Sequence, residues 1–90
     1  SSIELENAAV GAPGVQEAAA VGVYHPKWDE RPILLVVPKP GAEVSEAAVV
    51  EYLKDKVAKW WLPDEVLIVD SLPHTATGKI LKRQLREDYK

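Results

Sequence analysis

Residues 73–79 (Pro-His-Thr-Ala-Thr-Gly-Lys) contain the residue types with the clearest chemical potential in this chain. A glycine directly before a lysine in a threonine-rich loop is typical of a tip that faces phosphate, because it offers backbone N–H groups, hydroxyls and a mobile ammonium. The Lys79 ammonium would act on an anion as a point charge. From spacing alone, an ordinary capped loop leading into a helix remains the favoured interpretation.

Two well-known chemistries do not fit this loop. A Walker A loop needs a glycine where Pro73 stands and a serine or threonine where Ile80 stands. His25 and His74 are the only histidines and the chain has no cysteine, so we expect no metal site and a surface role for each histidine. No serine or threonine has an evident histidine and aspartate arrangement, which disfavours a self-contained hydrolase.

The end of the chain is predicted to form a basic helix over residues 79–89. Its basic residues share one broad face: Lys79, Lys82, Arg83, Arg86 and Lys90. Such a face can contact nucleic acid, CoA phosphates or only water. The whole chain has a formal net charge of −3, and Glu87 and Asp88 lie in the same helix, so we expect no nucleic-acid partner and a solvated face.

The elements before this helix are predicted from caps, breakers and apolar periodicity. Ser1 and Glu4 stand at capping-box spacing before a first helix with an apolar face of Ile3, Leu5 and Val10, ended by residues 11–14. Strands over 15–24 and 31–38 follow, joined by a polar link, and are predicted to pair as an antiparallel hairpin.

A second helix is predicted to begin after Ser45 and to end at Pro63. Its apolar stripe is predicted to contain Val49, Leu53, Val57 and Trp60, while Trp61 faces outward or lies at an edge and could mark a docking surface. A short strand over 66–69 is apolar on both faces and is predicted to be central. The fold class is therefore α+β: a small three-stranded sheet with flanking helices, in the order αββαβα.

Length and composition limit the organisation of the chain. Ninety residues with 47% hydrophobic content predict one globular domain over 1–90. No apolar run approaches the ~20 residues of a membrane-spanning helix, so we expect no transmembrane segment. The absence of cysteine is compatible with an intracellular origin, and we expect a cytoplasmic location. The absence of methionine suggests a segment excised from a longer protein. A domain this small would supply a group to a site formed mainly elsewhere.

Four stretches of the chain together resemble the C-terminal domain of AMP-forming acyl-CoA synthetases, in the adenylate-forming superfamily. They are residues 1–8 (Ser-Ser-Ile-Glu-Leu-Glu-Asn-Ala), residues 20–23 with 25–32, residues 60–63 (Trp-Trp-Leu-Pro), and residues 72–83 with Leu85. The last stretch is similar to the signature Leu-Pro-x-Thr-x-x-Gly-Lys-Ile/Val-x-x-x-x-Leu. The hairpin and the Trp-Trp pair look most like medium- and long-chain fatty acyl-CoA ligases.

This resemblance implies a two-step ligase in which a carboxylate and ATP give acyl-AMP and pyrophosphate, and CoA then gives acyl-CoA and AMP. Lys79 matches the family's catalytic lysine, which contacts the carboxylate and the α-phosphate region during the first step. Thr77 and Gly78 would shape the loop that positions it. ATP, Mg²⁺ and CoA would serve the full-length enzyme, with Mg²⁺ not bound by this domain.

The resemblance also implies a partner, since the large N-terminal domain and the hinge lie upstream. The small domain would rotate between the two steps, and alone it would be inactive. His74 replaces a common lysine or arginine and Trp61 a usually polar residue, so no CoA-binding residue is assigned. Two alternatives stay open: an adenylating enzyme that loads a carrier-protein pantetheine, and a non-catalytic interaction module with a basic helix. Lys79 should be exposed at a loop–helix junction, with no deep pocket around it.

Overall fold

The computed structural model describes residues 2–27 and 29–89, and these form an α+β fold in the predicted order. The elements are α1 (Ser2–Val10), β1 (Val15–His25), β2 (Asp29–Pro38), α2 (Glu46–Lys54), a 3₁₀ turn (Lys59–Trp61), β3 (Glu65–Ile68) and α3 (Lys82–Asp88). The expected roles of Ser1 as a helix cap, Trp28 in the hairpin link and Lys90 on the basic face lie outside the described residues, and so does the side chain of His25, expected at the surface.

The sheet has the order β1-β2-β3, so β2 is central. β1 pairs with β2 antiparallel, with Ala20 opposite Leu34, and this hairpin is as predicted. β3 pairs with β2 in parallel, with Val66 opposite Leu34. The prediction that the third strand is central was therefore wrong. β2 buries every residue from Ile33 to Val37, whereas β3 is exposed at both ends.

Two hydrophobic clusters lie on opposite faces of the sheet. On one face, Leu34 and Val36 pack with α1 and α2. On the other face, Leu35 and Val37 pack with Leu85 of α3. Leu34 and Leu35 are both 0% exposed, so adjacent residues of one strand anchor both clusters. Full burial of one such leucine contributes about 1.5–3 kcal/mol relative to exposure.

α1 packs on the sheet through a narrower face than the sequence predicted. Leu5 and Ala9 are buried, whereas Ile3 and Val10, expected on the apolar face, are exposed. Leu5 and Ala9 are four residues apart and share one face of the helix. Ile3 stands two residues before that pair and Val10 one residue after it, so the helical period turns both away from that face.

α2 begins as predicted, since the Ser45 hydroxyl accepts a hydrogen bond from the Ala48 N–H at 3.1 Å. It ends at Lys54, much earlier than the predicted stop at Pro63. The N–H groups of Lys56 and Val57 both donate to the Leu53 carbonyl, which closes the helix. Trp60 therefore leaves the predicted apolar stripe and is 73% exposed.

Within the described residues, no helix is long and apolar enough to cross a membrane.

Candidate functional site

Residues 73–81 form a tight hairpin, here called the lysine hairpin, just before α3. The Leu81 N–H donates to the Pro73 carbonyl at 2.8 Å, and His74 pairs with Ile80 in an antiparallel bridge. Lys79 lies on the returning side of this hairpin. The last helix begins at Lys82, so the predicted helix start at Lys79 was wrong. Lys79 is positioned by hairpin bonds and not by the helix.

Gly78 sets the turn of the lysine hairpin. The Gly78 N–H donates to the Thr75 carbonyl at 2.9 Å, and Gly78 has φ +86°, in the left-handed region. A turn followed by a left-handed residue is a common way to close a three-residue hairpin loop, and glycine adopts that conformation without steric cost. Gly78 therefore fixes the direction in which the chain enters Lys79.

The hydroxyl of Thr75 holds the backbone of Lys79. It accepts a hydrogen bond from the Lys79 N–H at 3.3 Å and bonds the Thr77 hydroxyl at 3.0 Å. The backbone N–H groups of Thr75, Gly78 and Lys79 are thus all used inside the hairpin. The sequence suggested exposed N–H groups facing phosphate, and for these three residues that interpretation was wrong. The ammonium is the group that the hairpin presents outward.

Lys79 is exposed near the start of α3, as expected. Among the side chains that the structure describes, none forms an ion pair with its ammonium. A Cβ built on the neighbouring Gly78 would meet nothing within 4 Å, so the hairpin tip borders open space. The charge of Lys79 is therefore available to an external anion.

α3 does not carry the single solvated basic face that the sequence predicted. The Lys82 ammonium pairs with the Glu6 carboxylate of α1, and the two side chains are only 26% and 15% exposed. Arg83 and Arg86 are exposed. The same Glu6 oxygen accepts a hydrogen bond from the Ala20 N–H of β1 at 2.7 Å. Lys82 is thus a structural cation, which the helical spacing alone could not show.

His74 also has a partner across the fold. Its Nε2 lies 2.6 Å from a carboxylate oxygen of Glu17 in β1, and because a carboxylate can only accept, Nε2–H is the donor. His74 is exposed, as predicted, and it also attaches the hairpin to β1. Among the described residues, no three His, Cys, Asp or Glu side chains are grouped as metal ligands would be.

An open cleft of about 320 Å³, here called the tryptophan cleft, lies beside the 3₁₀ turn. Trp60, Trp61 and Arg31 are among its lining residues. Arg31 is held by Asp64 at 2.9 Å. Sequence reasoning noted the paired tryptophans but missed Arg31, because Arg31 contacts Leu62 and Asp64 only in the folded chain, 31 and 33 residues further on.

The comparisons with known proteins agree with the geometry of the fold. Residues 4–79 match the family described as the AMP-binding enzyme C-terminal domain, and this match ends at Lys79. The chain is 54% identical over 90 residues to a 3-methylmercaptopropionyl-CoA ligase of Ruegeria lacuscaerulensis. It is 49% identical over 90 residues to a long-chain-fatty-acid–CoA ligase of Thermus thermophilus. Both alignments cover 100% of this chain and 17% of the relative.

Solved structures show the same fold. Crystal structures of MatB from Rhodopseudomonas palustris, apo and ATP-bound, each give a TM-score of 0.92, with identities of 39% and 38%. The superpositions cover 99% of this chain and 18% of MatB. The chain therefore spans less than a fifth of the length of these proteins.

Proposed function

Because the chain belongs to the AMP-binding enzyme C-terminal domain family, we propose that it is the mobile C-terminal domain of an ATP-dependent acid–CoA ligase. The carboxylate would attack the α-phosphate of ATP and release pyrophosphate, and the CoA thiol would then displace AMP from the acyl-AMP. The names of the ligases from Ruegeria and Thermus support this reaction. We propose a medium- or long-chain fatty acid as the substrate.

We propose Lys79 as the catalytic and adenylate-binding residue. The observation that carries this proposal is an exposed ammonium, with no ion pair among the described side chains, at the end of a hydrogen-bonded hairpin. Negative charge accumulates around the α-phosphate as the carboxylate attacks, and a positioned cation stabilises that charge. Groups of this kind contribute on the order of 10²–10⁵ in rate.

Thr77 and Gly78 would position Lys79 without taking part in the chemistry. Gly78 provides the left-handed turn, and the Thr77 hydroxyl bonds the Thr75 hydroxyl that holds the Lys79 N–H. This arrangement fixes the backbone while leaving the side chain free to extend. A mobile domain with such a hairpin can deliver the cation for one step and withdraw it for the next.

The larger part of the proposed ligase would bind ATP with Mg²⁺ and the acid, and CoA would enter after the domain has rotated. The ATP-bound structure of MatB supports a role for ATP in this proposal. We assign no Mg²⁺ ligand and no CoA-binding residue to this chain. The chain alone should be catalytically inactive, because it would supply only one group to the site.

The substitution Lys79→Ala in the full-length ligase tests this function. Pyrophosphate exchange into ATP, measured with octanoate, palmitate and 3-methylmercaptopropionate, should fall by about 10³-fold or more for the acid that reacts best. Thioester formation from the preformed acyl-AMP of that acid should be largely retained. Lys39→Ala removes another exposed lysine beside a turn and should change neither rate. Equal losses in both half-reactions would refute the proposed role of Lys79.

A further inference from the structure

A hydrogen bond and an ion pair attach the base of the lysine hairpin to β1 and α1. His74, at the start of the hairpin, bonds Glu17 of β1. Lys82, directly after the hairpin, pairs with Glu6 of α1. The hairpin is therefore held at both ends by carboxylates from elements far away in the sequence.

The Glu6 contact joins three elements at one oxygen atom. Its Oε2 accepts the Ala20 N–H at 2.7 Å and pairs with the Lys82 ammonium. Ala20 belongs to β1, an edge strand of the sheet, so this contact joins α1, the sheet edge and the first residue of α3. Glu6 is 15% exposed, so water screens the pair less than it would at an open surface.

This arrangement determines where Lys79 can reach. The Lys79 ammonium has no ion pair among the described side chains, so its position depends on how firmly its backbone is held. Lys82 lies three residues after Lys79, so the contact between Glu6 and Lys82 also restrains the returning side of the hairpin. Holding a catalytic group in place before the reaction removes an ordering cost from the transition state.

We propose that Glu6 is a positioning residue for adenylation, acting through Lys82 on the lysine hairpin. This inference rests on the proposed function of Lys79. Glu6 touches no reacting atom. Its carboxylate holds the hairpin at the angle from which the Lys79 ammonium meets the developing negative charge. The role is confined to the first half-reaction, because Lys79 serves only that step.

Glu6→Gln in the full-length ligase separates this role from general folding. The glutamine carbonyl can still accept the Ala20 N–H, but the charge that pairs with Lys82 is lost. Pyrophosphate exchange into ATP, with the best acid of the panel above, should fall about 10- to 100-fold, as expected when a catalytic group is misplaced by about 1 Å. Thioester formation from the matching preformed acyl-AMP should be unchanged.

Lys82 provides a second, independent test. Lys82→Gln should lower pyrophosphate exchange to the same extent as Glu6→Gln, and the double variant should be no slower than either single variant, because both remove one interaction. Lys82→Arg, which keeps the charge, should retain most of the exchange rate. Additive losses in the double variant would overturn the proposal.

The Glu51–Lys54 pair on α2 is the matched control. Its N–O distance is 3.0 Å, but its side chains are 75% and 53% exposed and both residues lie on α2 itself, so the pair does not join the hairpin to another element. Glu51→Gln should leave both half-reactions unchanged. A loss of exchange in Glu51→Gln equal to that in Glu6→Gln would overturn the specific role of Glu6.

Lys79→Ala, measured in parallel, distinguishes failure of this inference from failure of the proposed function. If Lys79→Ala abolishes exchange while Glu6→Gln lowers only the thermal unfolding midpoint, Glu6 is merely structural and the function of Lys79 stands. If Glu6→Gln lowers the rates of both half-reactions equally, the positioning role is likewise wrong. If Lys79→Ala leaves exchange intact, the proposed function and this inference fail together.

Discussion

Thr75 and Lys79 face each other across the lysine hairpin and are joined by two hydrogen bonds. The Thr75 N–H donates to the Lys79 carbonyl at 2.7 Å, and the Lys79 N–H donates to the Thr75 hydroxyl at 3.3 Å. The backbone of the proposed catalytic residue is therefore satisfied locally while its side chain extends into solvent. A hydrogen-bonded backbone together with an ammonium that is unpaired among the described side chains suits a residue that stabilises charge on a distant phosphate.

Thr75→Val should loosen this hairpin without unfolding the domain. The substitution keeps the side-chain shape but removes the acceptor for the Lys79 N–H. Because the group is exposed and water can replace the lost bond, the free energy of unfolding should fall by about 0.5–1.5 kcal/mol. Pyrophosphate exchange in the full-length ligase should fall several-fold, whereas Thr75→Ser should resemble the parent. An unchanged exchange rate in Thr75→Val would contradict a role for this hydroxyl.

Gly78→Ala should impair adenylation through backbone conformation alone. An added Cβ would meet no atom within 4 Å, so the cost comes only from φ +86° and is about 1–2 kcal/mol. Denaturant unfolding should show this loss of stability, and pyrophosphate exchange should fall as the hairpin relaxes toward another turn. Gly78→Asn should be milder, because asparagine tolerates the left-handed region better.

Gly41→Ala is the control for that substitution. Gly41 has φ +78° and likewise has open space around the built Cβ, but it lies in the turn before α2. The loss of unfolding free energy should match that of Gly78→Ala, and pyrophosphate exchange should not change. Equal losses of exchange in the two variants would show that exchange follows global stability.

Leu34→Ala should strongly destabilise the domain. Leu34 is 0% exposed and lies on the central strand in the cluster formed with α1 and α2. Truncating such a residue leaves a cavity and costs about 2–5 kcal/mol, measurable by urea denaturation. Ile68→Ala, on the edge strand and partly exposed, should cost about 1 kcal/mol. Similar losses of unfolding free energy in both variants would contradict the conclusion that the core is built mainly on β2.

Arg31→Lys should weaken the connection between β2 and the segment that precedes β3. The Arg31 Nε and Nη2 atoms both contact Asp64 Oδ1, at 3.0 and 2.9 Å, and Nη2 also donates to the Leu62 carbonyl at 3.3 Å. A lysine ammonium cannot reproduce this forked geometry. The side chains are 28% and 41% exposed, so solvent screening limits the loss to about 1 kcal/mol.

A double-mutant cycle with Asp64→Asn checks that assignment by thermal or urea unfolding. The two substitutions should be less than additive, because each disrupts the same forked contact between Arg31 and Asp64. Fully additive losses would mean that Arg31 stabilises the domain through its carbonyl contact or its packing and not through Asp64.

The sequence was a good guide wherever the signal is local. Ser45 marked the start of α2, the apolar run at residues 33–37 marked a strand, and the Gly78–Lys79 pair marked the candidate site. The exposure of Lys79 near a helix start was also expected. These features depend on neighbours within a few residues, which a sequence displays directly.

The features that the sequence did not reveal depend on distant partners. Trp60 fits a helical stripe by spacing, yet the helix ends early and leaves it exposed. The strand predicted over residues 66–69 looked central because it is apolar on both faces, yet β3 pairs on one side only. Glu6 and Glu17 carried no local signal as partners of the hairpin, because Lys82 and His74 meet them only after the sheet has formed.

The parallel pairing of β2 with β3 also bears on how the chain reaches its native state. The strands of the β1–β2 hairpin are neighbours in sequence, whereas the pairing of Ile33 with Glu65 encloses the whole of α2. Closing that long loop costs chain entropy before its contacts form, so β3 should dock after the hairpin and α2 have assembled. In native-state hydrogen exchange, β3 amides should therefore lose protection before those of β2.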